Sequence, residues 1–286
     1  MEFKCKVAVV TGGGAGLGNA LSQRLSQLGA SVIVVDRNAA AARETVELIR
    51  SKGGKAEFHI LDVSNWKQVD LMFQAVLTQF QIIHFVFNNA GMALAGEIKY
   101  LEVEHWRPIF DSNLFGVIHG SQAAYRIMAR QGFGHIINIS SSIGLMPAPF
   151  FSHYSASKYA VVGFTQALHA ETLDQGIRVH LVCPGYIESG LIKSGFSMGM
   201  SGIKVRKMVH FRTMSPEDAA QRILHGLTKR KMLIVFPWYC HLFIWFQRVF
   251  PLLAERLNRY SIQKFRSETE YDQDNHIIPY KGEPQR

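Results

Sequence analysis

Tyr154 and Lys158 lie four residues apart, a spacing that puts two side chains on one face of a helix. A free phenol ionises near a pH of about 10, too high for a general base at neutral pH. A neighbouring ammonium favours the phenolate, and a second positive charge nearby favours it further. Lowering such a pKa by about three units corresponds to roughly 4 kcal/mol of differential stabilisation, which two close cations in a shielded cleft can supply. The pair is therefore suited to moving a proton to and from an alcohol oxygen.

A second cluster suits an anion. Thr11-Gly12-Gly13-Gly14-Ala15-Gly16-Leu17-Gly18 separates a β-rich run, Val7–Thr11, from a helical pattern near Leu17–Leu28. Glycines admit positive φ and let a pyrophosphate approach the backbone, while the following helix start offers unpaired N–H groups and a positive dipole end. The literal GxGxxG fingerprint is absent; the spacing is TGxxxGxG through Gly12, Gly16 and Gly18, with Gly14 inside it. Asp36 ends the second strand-like run, where a carboxylate accepts from adenosine ribose hydroxyls and repels a 2′-phosphate. Arg37 is positioned to do the opposite, pairing with such a phosphate. The balance favours NAD over NADP.

These groups need a scaffold that brings the ends of several strands together. Continuous apolar runs at Val7–Thr11, Ser31–Asp36, Ala56–Leu61, Ile82–Phe87, Ile136–Ser140, Ile177–Val182 and Met232–Phe236 alternate with helical patterns. The helices are expected at Ala39–Lys52, Asn65–Gln79 (with Ser64 or Asn65 as cap), Val103–Arg130, Tyr154–Leu173 and Pro216–Leu227. Strands apolar on both faces belong to a parallel sheet covered on both sides. The expected fold is α/β, one doubly wound parallel sheet of Rossmann-like type over residues 1–236, followed by a C-terminal extension over 237–286. Ligands on such sheets bind beyond the carboxyl ends of the strands.

TGGGAGLG, Asn88-Asn89-Ala90-Gly91, Asn113 in SNLFG, Ser141, Tyr154-Ser155-Ala156-Ser157-Lys158 and Pro184-Gly185 stand in an order and spacing that resemble the short-chain dehydrogenase/reductase family over roughly residues 5–236. YxxxK alone is common in unrelated helices; six motifs in register are specific. The resemblance implies hydride transfer between a CH–OH group and a nicotinamide dinucleotide. It implies Tyr154 as acid/base, Ser141 (with Ser142 as the fallback in the serine run) orienting the substrate oxygen, Lys158 holding the nicotinamide ribose, and Asn113 relaying protons. It also implies a cofactor shell of Gly12, Gly14, Gly16, Leu17, Gly18, Asp36, Arg37, Asp62, Val63, Asn89, Ala90, Gly91, Tyr154, Lys158, Pro184, Gly185, Ile187 and Ser189. The family commonly forms homodimers or homotetramers, here through Val103–Arg130 and Tyr154–Leu173.

Composition removes other classes. With 48% hydrophobic and 19% charged residues among 286, the chain is not disordered. Three widely spaced cysteines form no CxxC pair, and twelve histidines show no HExxH spacing, so no metal is expected and the thiols read as small buried groups. The formal charge of +9 is scattered, without a basic run, so no nucleic-acid partner is expected. No secretory leader is visible, and a cytoplasmic location follows, with peripheral membrane association open.

Two segments stand outside the strand–helix alternation. Residues 186–215, rich in glycine and methionine, suit an adaptable apolar lid over a lipophilic substrate. After Phe236, Trp238, Tyr239, Trp245 and Phe246 are followed by Arg248, Arg256, Arg259, Lys264 and Arg266. That composition fits a membrane surface, and it equally fits packing on a second subunit or over the substrate cleft. The residues from about Ser267 onward read as a loose polar tail. The alternative to an enzyme is a dinucleotide-binding redox sensor or membrane-surface scaffold, for which an acid–base set has no use.

Overall fold

The computed structural model describes residues 2–188, 196–198 and 213–268. A parallel seven-stranded sheet forms its centre: β1 (Val7–Thr11), β2 (Ser31–Asp36), β3 (Lys55–Ile60), β4 (Phe85–Asn88), β6 (Gly134–Ile139), β7 (Ile177–Pro184) and β9 (Leu233–Phe236). Their spatial order is β3-β2-β1-β4-β6-β7-β9. The order reverses between β1 and β4, which pair from Ala8↔Phe85 to Val10↔Phe87 and open the crevice where such sheets bind ligands. β5 (Leu94–Gly96) and β8 (Phe196–Met198) pair with each other in a separate two-stranded sheet that the sequence pattern did not suggest.

Both faces of the large sheet are buried, which is why its strands read as unbroken apolar runs. One face packs Val10, Val32 and Phe87 with Leu21, Leu25, Val46 and Ile223. These come from α1 (Gly16–Gln27), α2 (Ala39–Ser51) and the helix Pro216–Thr228, here α7. The other packs Val9, Ile33 and Val86 against Phe73 of α3 (Trp66–Phe80) and Ala124 and Met128 of α5 (Gly116–Gln131). Local chemistry sets the helix starts. Asn38 accepts from the Ala41 N–H, Asn65 from the Gln68 N–H and Ser215 from the Asp218 N–H. Asn65, rather than Ser64, is therefore the cap of α3.

The helix expected over Val103–Arg130 is three pieces: α4 (Val103–Phe110), a π-helical turn Asp111–Phe115, and α5. Pro108 lies inside α4 and lacks the N–H that an uninterrupted ladder needs. The π turn carries Asn113, as such single-turn insertions in helices often carry functional groups. α6 (Ser152–Glu171) carries both Tyr154 and Lys158.

After β9 the chain forms two further helices, α8 (Trp238–Val249) and α9 (Pro251–Glu268), joined at Phe250. Cys240, Ile244 and Ala254 are buried and anchor this hairpin. At its far end Arg266 makes a two-pronged ion pair with buried Glu97, Nε to Oε1 at 3.2 Å and Nη2 to Oε2 at 3.0 Å. Among the described residues no helix is long and apolar enough to cross a membrane. The segment read as a lid, 186–215, is described only at its two ends and at 196–198.

Candidate active site

The turn between β1 and α1 owes its shape to glycine at two points. Gly12 has φ of +63°, and a Cβ there would meet the Ala90 Cα at 2.9 Å. A Cβ on Gly18 would sit 2.0 Å from the Gly12 carbonyl oxygen, so α1 can fold back over the turn only if residue 18 has no side chain. The turn is then tied to the loop after β4. The Thr11 hydroxyl accepts from the Asn89 N–H at 2.9 Å and the Ala90 N–H at 3.0 Å, while the Asn89 side chain donates to the Thr11 carbonyl at 2.9 Å. Across the turn, Asp36 is fixed by two backbone donors, Gly14 N–H and Asn38 N–H, each at 2.9 Å.

Ser141 leaves β6 in an extended conformation and its hydroxyl accepts from the Ile143 N–H at 3.2 Å, starting a 3-10 turn over Ser142–Gly144. Tyr154 is buried, and its hydroxyl hydrogen-bonds with Ser141. Ser142 instead bonds the Cys240 thiol, so the ambiguity of the serine run falls to Ser141 as the partner of the phenol. One turn along α6, the Lys158 ammonium donates to the Ile139 carbonyl at 3.0 Å and lies 5.7 Å from the centre of the Tyr154 ring. Asn113 is fully buried behind this pair. Its amide donates to Met92 O at 2.9 Å and Ser157 Oγ at 3.1 Å, and its oxygen accepts from the Met92 N–H at 2.7 Å. The π turn is thereby fastened both to the loop after β4 and to α6.

Burial dominates the electrostatics. It pushes the Tyr154 phenol up to about 12, against the smaller pull of the Ser141 hydrogen bond. It pulls Lys158 down to about 8, with the Cys183 thiol opposing. The ammonium, one of the two cations expected to favour the phenolate, does not by itself make the phenol acidic. The lysine stands over the ring rather than at the oxygen, and desolvation outweighs it.

One cavity of about 1460 Å³ joins these groups. Its wall includes Gly12, Gly16, Leu17, Asp36, Arg37, Asp62, Val63, Asn89, Ala90, Gly91, Ser141, Tyr154, Lys158, Pro184, Gly185 and Ile187. Gly14, Gly18 and Asn113 stand behind that wall: the first holds Asp36, the second admits α1, and the third braces the loop after β4. Ser189 lies outside the described residues. His153, beside Tyr154 in sequence, lies on neither a loop nor the cavity wall but is buried in α6, its ring edge-on to Trp106 at 5.9 Å.

The sequence reading named no wall residue from the loop before α6, and it left the C-terminal helices open between a membrane surface, a second subunit and the substrate cleft. Met146, Pro147, Pro149, Phe150 and Phe151 come from the loop before α6. Tyr239, Phe243 and Phe246 come from α8, and Ala254 and Leu257 from α9. The helical spacing of Tyr239, Phe243 and Phe246 was visible, but nothing local in the chain says which neighbour such a face will meet. Within the described residues no group of three or more His, Cys, Asp or Glu side chains could hold a metal ion.

Known proteins share this arrangement. A family profile described as short chain dehydrogenase matches residues 6–198. A cyclohexanol dehydrogenase of Acinetobacter sp. (strain SE19) is 36% identical over 194 residues, 67% of this chain and 76% of its own length. A short chain dehydrogenase/reductase of Burkholderia phymatum, solved in complex with NAD, superposes with a TM-score of 0.82 at 26% identity, covering 89% of this chain and 96% of that one. A metagenomic short-chain oxidoreductase in complex with NADP gives a TM-score of 0.69 at 26% identity, with 82% and 98% covered.

Proposed function

The chain belongs to the short-chain dehydrogenase family, and from that premise we propose that this oxidoreductase interconverts a lipophilic secondary alcohol and its ketone, or an alcohol and its aldehyde, with Tyr154 as the acid–base group. The observation that carries the reading is the cavity itself: Ser141, Tyr154 and Lys158 face one space whose far wall is aromatic and aliphatic. A substrate with an apolar body and one carbinol or carbonyl oxygen matches that division of the walls.

The cradle fits a nicotinamide dinucleotide. Gly12 and Gly18 hold the turn close to its neighbours, and the N-terminus of α1 faces the cavity at Gly16 and Leu17, a suitable seat for the pyrophosphate. Asp36 would take the adenosine ribose, Asp62 and Val63 the adenine, and Asn89, Ala90, Gly91, Pro184, Gly185 and Ile187 the remainder. NAD is the better fit of the two forms, because Asp36 is pinned in place by Gly14 and Asn38 and would stand against a 2′-phosphate. When bound, the dinucleotide supplies the hydride acceptor or donor and, in its oxidised form, a positive charge near the phenol.

The residues divide the remaining work. Ser141 holds the substrate oxygen and shares its hydrogen bond with Tyr154. Tyr154, a phenol protonated at neutral pH, can give its proton to a carbonyl oxygen; in the reverse direction it takes the proton of the alcohol. Lys158 supplies the nearby cation and a donor for a ribose hydroxyl. Asn113 fixes the loop and α6 on either side of the lysine. Exposed Phe115, at the end of the π turn that leads into α5, and exposed Tyr159 on α6 support a homodimer or homotetramer through α5 and α6.

The test is turnover of lipophilic secondary alcohols with NAD⁺ and with NADP⁺, for the wild type and Tyr154→Phe in parallel. Turnover with NAD⁺ is expected, falling about 10²–10⁴-fold in the variant while dinucleotide binding persists. Full activity in the variant would remove Tyr154 from the chemistry. A preference for NADP⁺ would make Arg37 outweigh Asp36. Dinucleotide binding without turnover of any alcohol would favour the redox-sensor reading.

A further inference from the structure

α8 is apolar on two sides. Tyr239, Phe243 and Phe246 face the cavity. Trp238, Leu242, Trp245 and Val249, spaced by four, three and four residues, lie on the other side, with Trp238 75% and Trp245 54% exposed. The apolar surface continues past the bend, where Trp245 packs edge-on against exposed Phe250, and into α9 through exposed Leu252 and Leu253. A helix apolar all round is normally buried on every side. This one is covered on its inner side only.

From this two-sidedness we propose that the outer face of the α8–α9 hairpin docks on an anionic lipid surface. Three observations select lipid over a second copy of the chain. Between Pro237 and Glu268 there are five arginine and lysine residues against two carboxylates, and with Arg266 spent on Glu97 the balance is still four to two, so the hairpin is cationic. In a two-fold contact each copy would bring the same cationic surface to the other, whereas anionic headgroups complement it. The exposed side chains are tryptophan, phenylalanine, valine and leucine, with the aromatic ones of the type that settles at the headgroup–acyl boundary, and exposed Arg248 and Arg256 lie in the same elements to meet headgroups. Finally, neither helix is long and apolar enough to span a bilayer, so the contact is in-plane. Docked this way, the hairpin separates the lipid from the cavity by one helix layer, and a lipophilic substrate has a short path between them.

The full chain is tested by flotation with phosphatidylcholine vesicles, with and without phosphatidylglycerol. Binding is expected to the anionic vesicles and to weaken as salt rises. The triple variant Trp238→Ser, Leu242→Ser, Trp245→Ser, none of which touches the cavity, is expected to lower partitioning at least about tenfold, the worth of burying a single large apolar side chain. It should retain turnover of a small water-soluble secondary alcohol. Should the triple variant misfold, Arg256→Gln decides, with an expected loss of about fivefold. No binding to anionic vesicles overturns the proposal. So does unchanged partitioning of the variants, or a triple variant whose main effect is a smaller mass in light scattering, which would assign the face to a second copy. Flotation needs no turnover, so its failure is distinct from failure of the proposed reaction.

Discussion

Replacing Lys158 with methionine should make the protein more stable while removing its activity. Lys158 is 4% exposed, and burial lowers its pKa from 10.5 to about 8. A displacement of that size means that holding the charge inside costs about 3 kcal/mol relative to the unfolded chain. Methionine has a similar length and no charge. Against the relief stands the Ile139 carbonyl, which loses its donor at 3.0 Å, a penalty of about 1–3 kcal/mol. The net expectation at pH 7 is a gain of roughly 1–2 kcal/mol, a few degrees in Tm for a chain of this size. The pH dependence has a definite sign. Above 10.5 the lysine is neutral in both states and carries no penalty. As pH falls towards 8 the unfolded chain takes up the proton first, and the wild type loses stability. Below 8 the penalty is complete and constant. The advantage of Lys158→Met should therefore be flat below pH 8, shrink between 8 and 10.5, and vanish above. Tyr154 titrates at 10.0 in the unfolded chain and at about 12 in the folded one, but it is present in both proteins and cancels in their difference. Urea denaturation of both proteins from pH 7 to 10.5 measures the effect. A variant less stable at pH 7, or a gap that does not close as pH rises, would refute the account of Lys158 as a buried and costly charge.

Other perturbations follow from the same geometry. Gly18→Ala puts a methyl 2.0 Å from the Gly12 carbonyl and 2.7 Å from the Asn89 side chain, so the turn must open. A loss of roughly 1–3 kcal/mol in stability and a weakened Kd for NADH are expected, read by thermal denaturation and NADH fluorescence. At the opposite end of the sheet, the His180 Nδ1–H donates to the Lys231 carbonyl at 2.7 Å and Nε2 accepts from His135 at 3.0 Å. Burial pulls these two histidines down to about 4 and about 3, respectively. Since their unfolded value is 6.5, stability should fall as pH drops from 6.5 towards 4, by about 3 kcal/mol for His180 alone. Guanidinium melts at pH 7.5 and 4.5 compare the wild type with His180→Phe; equal midpoint losses would exclude this ring as the cause.

The sheet was legible because its signal is local. A strand buried on both sides must be apolar throughout, and Val7–Thr11 and Ser31–Asp36 were readable to the residue. The candidate constellation could be named from sequence because Tyr154, Lys158, Ser141 and the glycine turn stand at fixed spacings, and the structure brings them to one cavity. What failed was long-range or subtle. The break at Asp111–Phe115 turns on one added residue in a helical turn, which hydrophobic periodicity does not register beyond the warning of Pro108. The small sheet β5–β8 joins Leu94–Gly96 to Phe196–Met198, a pairing that no local pattern encodes. The inner face of α8 looked like any aromatic stripe. Its destination depends on Gly185, where a Cβ would sit 3.0 Å from the Cys240 sulfur, and on Arg266 reaching Glu97 from 169 residues away. The strength of the burial that opposes the ammonium at Tyr154 was not legible, because the sequence shows that a lysine is near but not how dry the pocket is.

The order in which the chain builds its cavity separates two kinds of change. Every group assigned to the dinucleotide and to proton transfer precedes residue 190, while much of the apolar wall is supplied after β9 has closed the sheet. The helices after Phe236 pack onto the finished sheet without contributing a strand to it. Substitutions along Tyr239, Phe243 and Phe246 can therefore reshape what the enzyme accepts without disturbing how it transfers a proton. A chain shortened at Phe236 would keep the nucleotide cradle and lose the selective wall. In such a protein, substrate range is free to drift under selection while the reaction stays fixed.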